Sequence, residues 1–472
     1  MSTTSHNTPT LKSLIPAAHL AVVERLGETF ESSQKELVLV GGIVRDILLG
    51  LELPADLDFA TNARPEETQR LGVAAGAESV YLIGAHFGTV GLVFRDADGQ
   101  SINVEITTYR AEHYPDDTRK PAVQWGESLE DDLSRRDFTV NAMAAKPLTG
   151  ELIDPYGGQA DLAMGIIRAV GDPEARFRED PLRMLRGARF VSQLGFAVEP
   201  RTCEAMTAQA PSLARISQER IYAELTRLLT GQWASHGLET LADTAQFGQV
   251  LPDIGFLPNQ TSLPGEPHVE KDLWAHTRRV VDRTPNRPVV RWAALLHDAG
   301  KPTCRGFSPT GEIHFIGHER EGGALAGRVL SRLNADRMTQ TAVRRIVELH
   351  GRPETYDQSW TDSAVRRLML DAGEQIDDLL DLAAADVTSA RVERQNYARN
   401  RIDALQRHIA RLEAERALEE YQSPLDGQEL MALFDRPPGK WIGVIKDALR
   451  ELVIDGELQP DDKRNAERIA AN

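Results

Sequence analysis

Apolar positions in the first third of the chain fall in short runs spaced for strands. ELVLV, FGTVGLVF and SINVEITTY are rich in Val, Ile, Phe and Thr, and turn-forming stretches such as RDADGQ separate runs of this kind. After about residue 160 the period changes. In EDPLRMLRGARFVSQLG, Leu182, Leu185 and Phe190 recur at roughly helical spacing and the segment ends on Gly195, which predicts a helix with a glycine stop. Strand-like runs nearly vanish from there on. LPNQTSLPGEPH, residues 257–268, carries three prolines and predicts a linker. A second helical region follows. Near its end Ile402, Leu405, Ile409 and Leu412 form a narrow apolar stripe on a highly charged helix, and DRPPGK breaks the chain before a last helix starting near Trp441. The predicted fold class is α+β, a head with a small mixed sheet followed by an all-helical remainder.

Composition narrows this picture. A chain of 472 residues is too long for one ordinary core, so several domains are expected. Hydrophobic residues make up 41% of it, as in globular proteins, and no apolar run approaches the length of a membrane span. Only Cys203 and Cys304 occur, which excludes a disulfide framework and favours a reducing cytoplasm. The opening MSTTSHNTPTLKSLIPAAHL lacks the pattern of an export signal, and residues 1–34 read as a disordered lead-in. A net charge of −17 argues mildly against a nucleic-acid partner, yet a local basic groove on an acidic protein can still bind phosphates.

Candidate chemistry concentrates in LVLVGGIVRDILLGLELPADLDFAT, residues 37–61. Asp56 and Asp58 are spaced i, i+2, which on a strand puts both carboxylates on one face. Two such groups repel unless a cation lies between them, and Mg²⁺ takes such a pair together with phosphate oxygens. Gly41 and Gly42 stand between a strand and a helix, where backbone N–H groups and the helix N-terminus can approach a phosphate. Arg45, one turn into that helix, can add a charge-assisted bond. The stretch therefore reads as a triphosphate cradle beside a metal pair.

GGIVRD followed by DLDFAT resembles the first signature of the class II tRNA nucleotidyltransferases (the CCA-adding enzymes) and bacterial poly(A) polymerases, within the DNA polymerase β superfamily. EITTYR, DDLSRRDFTVNAMA, DPYGGQADL and RFREDPLRMLRGARF continue the resemblance in order, over roughly residues 35–230. It implies a catalytic head using Asp56 and Asp58, with Glu105 the candidate for the third carboxylate usual in the superfamily. It also implies triphosphate and ribose contacts at Arg135, Arg136 and Asp137, with Asn141 nearby. Two adjacent arginines cannot share one strand face, so one of the two is expected to reach the nucleotide while the other packs or pairs elsewhere. The loop from Tyr109 to Asp137 is, in family terms, associated with enzymes that complete the terminal A.

Asp180 and Arg183 are i, i+3 on a predicted helix and hence neighbours on one face. Asp offers only acceptors and Arg only donors. Cytosine and adenine each present an amino donor beside a ring-nitrogen acceptor, and uracil and guanine invert that pair. One Asp–Arg pair can therefore accept C and A and reject U and G, because the wrong base leaves buried polar groups unpaired. The resemblance assigns this role to the Glu-Asp-x-x-Arg motif. Arg186 and Arg189 continue the same face and could hold phosphate.

A second constellation lies in the helical region. LLHDAGKP, with His297 and Asp298, resembles the central motif of HD-domain phosphohydrolases, with His276 upstream and Asp386 downstream as that family requires. Imidazoles with carboxylates suit a divalent transition metal. His318 and His350 could make a second metal site or bind phosphate. The activity could be hydrolysis of 2′,3′-cyclic phosphate or phosphomonoester ends, or the site could be a silent scaffold. Arginines from residue 391 onward, in a tail expected to bind tRNA, could track an RNA backbone or lie on a solvated face.

The domain plan expected is lead-in 1–34, nucleotidyltransferase head 35–160, helical neck with base recognition 161–256, linker 257–268, HD domain 269–400 and helical tail 401–472. The function expected is template-independent addition of CCA to the 3′ end of tRNA from CTP and ATP, with Mg²⁺ at the head. The rivals are a poly(A) polymerase and an HD phosphohydrolase whose head only binds nucleotide. Oligomeric state is left open by the sequence.

Overall fold

A computed structural model describes residues 11–51, 56–83, 88–96, 98–113, 122–126, 128–259, 272–311, 313–387, 392–420, 423–454, 457–459 and 461–471. The contacts divide the chain into two units, one up to residue 344 and one from 345 onward.

In the first unit, α1 (Ala17–Ser32) precedes β1 (Leu37–Val40), α2 (Gly42–Leu49), β2 (Asp56–Thr61), α3 (Pro65–Ala74), β3 (Ser79–Ile83), β4 (Thr89–Arg95) and β5 (Ser101–Thr108). There follow β6 (Arg110–His113), β7 (Ala122–Trp125), α4 (Leu129–Ser134), β8 (Ala144–Ala145), β9 (Leu152–Ile153) and α5 (Gly158–Met164). Seven strands form one mixed sheet in the order β3-β4-β5-β2-β1-β8-β9. Within it β2 and β5 run parallel, and the other pairs are antiparallel. The alternation read in SINVEITTY is what the sheet uses: Ile102, Val104 and Ile106 are buried while Asn103, Glu105 and Thr107 point to the other face.

Residues 17–32 correct the expected disordered lead-in. They form α1, which buries Val22, Val23, Leu26 and Phe30 against the head. Those positions follow the i, i+3, i+4 period of an amphipathic helix, a pattern the sequence carries and that outweighs the polar character of the first ten residues.

The helical neck runs α6 (Pro173–Glu179), α7 (Leu182–Leu194), α8 (Pro200–Gln209), α9 (Gln218–Leu229), α10 (Ala234–Asp243) and α11 (Phe247–Val250). As the glycine stop predicted, α7 ends at Gly195, in the left-handed region at φ 71°. Next come α12 (Leu273–Arg283), α13 (Pro288–Leu296), α14 (His318–Arg332) and α15 (Arg337–Leu349). The expected linker at 257–268 lies outside the described residues beyond Asn259. It is not where the contacts divide, because α10 packs on α12 and α9 on α13, with Trp292 fully buried and stacked on Tyr222. Neck and first histidine-bearing helices are one body, and the division falls inside α15 instead.

The second unit holds α16 (Asp362–Ala372), α17 (Ile376–Asp386), α18 (Val392–Glu420), α19 (Gly427–Phe434), α20 (Lys440–Ile454) and α21 (Lys463–Ala470). The stripe Ile402, Leu405, Ile409 and Leu412 is buried on α18, which packs on α16 and α17. A separate cluster of Leu425, Leu430, Leu449, Val453, Leu458 and Ala466 closes the chain's end.

Because Phe30 is fully buried, Phe30→Ala is expected to lower unfolding free energy by about 3–5 kcal/mol in chemical denaturation. An unchanged midpoint would mean that the buried face of α1 adds nothing to the stability of the head.

Candidate active site

The parallel pairing of β2 with β5 sets Asp58 opposite Glu105 and Asp56 opposite Asn103. Side chains alternate along a strand, so Asp56, Asp58 and Glu105 share one face while Leu57, Phe59, Val104 and Ile106 fill the core behind it. Withdrawal from water, Glu105 and Asp56 push the Asp58 carboxyl up to about 6, against the opposing pull of Arg136. Withdrawal from water and the charge of Asp56 raise Glu105 as well. Three hard-oxygen groups on one face, two of them raised by their neighbours and by burial, are a donor set that a divalent cation relieves.

Beside this face the chain turns through Gly41, at φ 75°, into α2. A Cβ there would lie 2.8 Å from Arg136 Nη1, so only glycine permits both the conformation and the approach of the guanidinium. Arg45 donates to Asn141 Oδ1 at 2.7 Å and to Asp46 at 2.8 Å. It also lies 5.3 Å from the centre of the Phe190 ring.

Arg135 and Arg136 follow α4 rather than lying on a strand, which corrects the expectation that they separate. One carboxylate holds both: Arg135 Nη2 meets Asp132 Oδ1 at 2.5 Å and Arg136 Nη2 meets Asp132 Oδ2 at 2.9 Å. Burial would raise Asp132, and the two guanidinium charges outweigh it and hold the carboxyl below its ordinary range. Asp137 is not a nucleotide-facing acceptor that stands alone. Burial again opposes its ionisation, but Arg186 at 2.7 Å, Asn141 Nδ2 at 3.2 Å and the Phe138 N–H at 2.8 Å hold it down at about 2.

Asp180 and Arg183, expected to read the base, depart from the expected helical neighbours. Asp180 sits between α6 and α7 with extended backbone, φ −138°, and its Oδ1 accepts from the Leu182 N–H at 3.1 Å. Pro181 forces this break, since a residue before proline is pushed out of helical conformation. Arg183 pairs with Glu179 at 2.7 Å, and Asp180 pairs with Arg220 at 3.0 Å. Arg189 meets Glu224 at 2.9 Å and lies 4.3 Å from the Phe190 ring centre; burial pushes it down to about 10.

These side chains enclose a cavity of about 620 Å³. Its lining includes eight arginines (45, 110, 135, 136, 183, 186, 189 and 220) against three carboxylates (Asp58, Asp137 and Asp180), which makes it a site for a polyanion. Gly41, Gly42, Arg45, Arg135, Arg136, Asp137, Asn141, Asp180, Arg183, Arg186 and Arg189, all singled out from sequence, line it together.

A histidine cluster occupies α12–α14. Nε2 of His276 and Nε2 of His297 are 3.2 Å apart, and each lies 3.3 Å from Asp298 Oδ2. His318 Nε2 lies 3.6 Å from Asp298 Oδ1. His297 Nδ1 donates to the Ala294 carbonyl at 2.8 Å and His318 Nδ1 to that of Phe315 at 2.9 Å. Both rings thereby turn a lone pair on Nε2 toward Asp298, the tautomer a metal requires. Lys301 Nζ sits 2.6 Å from Asp298 Oδ2. His350 and Asp386 belong to the second unit. There His350 Nδ1 donates to the Val347 carbonyl at 2.7 Å. Asp386 is hydrogen-bonded to Glu354, whose carboxyl burial and Asp386 raise.

Residues 37–168 match the poly A polymerase head domain, 195–257 the probable RNA and SrmB-binding site of polymerase A, and 272–391 the HD domain. The CCA-adding enzyme of Geobacillus thermodenitrificans is 34% identical over 432 residues, 91% of each chain. This chain belongs to the CCA-adding enzyme family. The crystal structure of the Bacillus stearothermophilus CCA-adding enzyme in complex with CTP matches 96% of the chain and 98% of its own, at 26% identity and a TM-score of 0.56. The Thermotoga maritima CCA-adding enzyme complexed with tRNA shares the fold at 18% identity and a TM-score of 0.55, over 98% and 97% of the two chains.

The chain is thus a nucleotidyltransferase with an HD domain, both classes that use divalent metals. Sequence reasoning missed Asp132, Phe190, Glu224 and Arg220. Asp132 was legible, at i+3 and i+4 spacing from Arg135 and Arg136. Glu224 and Arg220 sit on α9, far from their partners in sequence, with no local signal.

The folded value of Asp58, about 6, lies above its ordinary 3.8. Its contribution to stability is therefore present below about pH 4 and is lost as pH rises through 6. Asp58→Asn should raise the Tm of chelator-treated protein at pH 8 and leave it nearly unchanged at pH 4. An equal shift at both pH values would contradict this.

Proposed function

We propose that the head cavity adds C, C and A to the 3′ end of tRNA from CTP and ATP without a nucleic-acid template, releasing pyrophosphate. The observation that carries the reading is one cavity joining an arginine-rich wall to Asp58, which shares its strand face with Asp56 and Glu105, and to an Asp–Arg pair of complementary hydrogen-bonding character. Mg²⁺ is the cation proposed for Asp56 and Asp58, with Glu105 beside them; when bound it would neutralise triphosphate charge and lower the pKa of the RNA 3′-hydroxyl. The backbone N–H groups at Gly41–Gly42 and the guanidinium of Arg45 cradle the triphosphate at the N-terminus of α2. Arg135 and Arg136, fixed by Asp132, add charge along it. Asp180 accepts from the amino group of C or A, and Arg183 donates to the adjacent ring nitrogen. The 3′-hydroxyl then attacks the α-phosphorus in line, and pyrophosphate departs into the arginine wall.

The tail is assigned to holding the body of the tRNA. Tyr397 is 69% exposed, with Arg401 beside its ring, and Arg436 lies 5.3 Å from the centre of the Trp441 ring, a stacking arrangement suited to unpaired bases. Among the described residues no helix is long and apolar enough to cross a membrane, and Cys203 and Cys304 form no disulfide; a cytoplasmic location fits both. Much of the loop expected to favour terminal A addition, residues 114–121 and 127, lies outside the described residues.

Truncated tRNA given CTP, ATP and Mg²⁺ should grow by three nucleotides and stop, and Asp58→Ala should abolish incorporation by more than about a thousandfold. A long A-only ladder would instead make the enzyme a poly(A) polymerase.

The histidine cluster supports a second activity. His276, His297, Asp298 and His318 suit Mn, Fe, Ni or Zn, with imidazole nitrogen and one carboxylate as donors. The proposed reaction is hydrolysis of 2′,3′-cyclic phosphate or phosphomonoester ends of RNA. Metal-dependent phosphate release should be lost in His297→Ala and retained in Asp58→Ala. Release that persists in His297→Ala would leave the cluster a structural scaffold.

A further inference from the structure

The two base-reading side chains are held by different means. Arg183 donates to Glu179 Oε2 at 2.7 Å, to the Arg135 carbonyl at 2.8 Å and to the Arg176 carbonyl at 3.2 Å. Two of its three holders therefore lie within its own motif. Asp180 has one oxygen on the Leu182 N–H, and its other, Oδ2, accepts from Arg220 Nη2 at 3.0 Å across 40 residues of sequence. Arg220 also lines the nucleotide cavity.

A half-exposed ion pair contributes little to stability by itself. This one matters because its base is fixed. Arg220 projects from the first turn of α9, and the two residues before it are anchored by the stretch that ends α14. Arg332 Nη1 donates to Gln218 Oε1 at 3.0 Å, while its Nε and Nη2 donate to Asp253 at 2.7 Å and to the Val250 carbonyl at 3.1 Å. Asn334 Nδ2 donates to Glu219 Oε1 at 2.6 Å. The turn that carries Arg220 therefore cannot drift relative to the neck.

We infer that Arg220 is a positioning residue for base selection, holding the Asp180 carboxylate in the orientation in which it meets the amino group of C or A. The inference rests on the base-reading role proposed above. A carboxylate oxygen has two lone pairs, so Oδ2 can accept from Arg220 and from a base at once. Without Arg220 only the Leu182 N–H restrains the carboxylate, and rotation about its terminal torsion is soft. A carboxylate free to swing can also accept from the ring N–H that uracil and guanine present, so discrimination falls.

The test is single-nucleotide extension of truncated tRNA by full-length wild type, Arg220→Lys, Arg220→Gln and Arg220→Ala, each with CTP and UTP separately. Arg220→Gln and Arg220→Ala are expected to lower the CTP/UTP ratio of kcat/KM by about tenfold or more, the cost of one lost discriminating hydrogen bond. Arg220→Lys, a point charge without the fork, falls between. Tm should stay near wild type in all three. A merely structural role would slow both nucleotides alike and leave the ratio fixed, which overturns the inference. In an Asp180→Ala background, Arg220→Ala should change the ratio no further; an additional drop there would also overturn it. Should wild type add neither nucleotide, the CCA-adding reading itself fails, and that result is distinct from an active enzyme whose ratio ignores Arg220.

Discussion

Eight guanidinium groups around one cavity repel each other, and buried carboxylates hold most of them there. Asp132 grips Arg135 and Arg136, Asp137 grips Arg186 and reaches Arg45 through Asn141, and Glu224 grips Arg189. Withdrawal from water opposes the ionisation of Asp132 and Asp137, and the neighbouring guanidinium charges outweigh it. The arrangement cancels part of the positive charge while orienting five of the eight guanidinium groups. A triphosphate entering the cavity meets groups already oriented, so little ordering remains to be done on binding.

The acidic face is built by a different device. Parallel pairing of two strands from separate parts of the head puts Glu105 level with Asp58, and the pleat points both, with Asp56, to one side. No local sequence rule gives that register. The crossover between the strands, through α3 and the β3–β4 hairpin, is what fixes it.

Much of this was visible in the residues themselves. The alternation of β5, the Gly-Gly turn into α2, the glycine stop of α7 and the stripe on α18 each stand where their periodicity put them, because each is a local signal. Most of the residues that line the cavity were legible as an ordered series of short motifs. Their partners were not. Pro181 broke the expected helix and moved Asp180 out of line with Arg183, so each took a partner of its own, and the one for Asp180 lies on another helix. The lead-in was misread because a polar start hid an amphipathic helix behind it, and the prolines at 257–268 marked a loop without saying that the helices on either side of it pack together.

The packing of α9 on α13 and of α10 on α12 makes the neck and helices α12–α14 parts of one compact unit. The arginine-lined cavity and the histidine cluster are thereby tied in inheritance. A substitution that loosens the core around Trp292 removes folded protein from both at once, so neither site can accumulate destabilising change while selection guards the other alone.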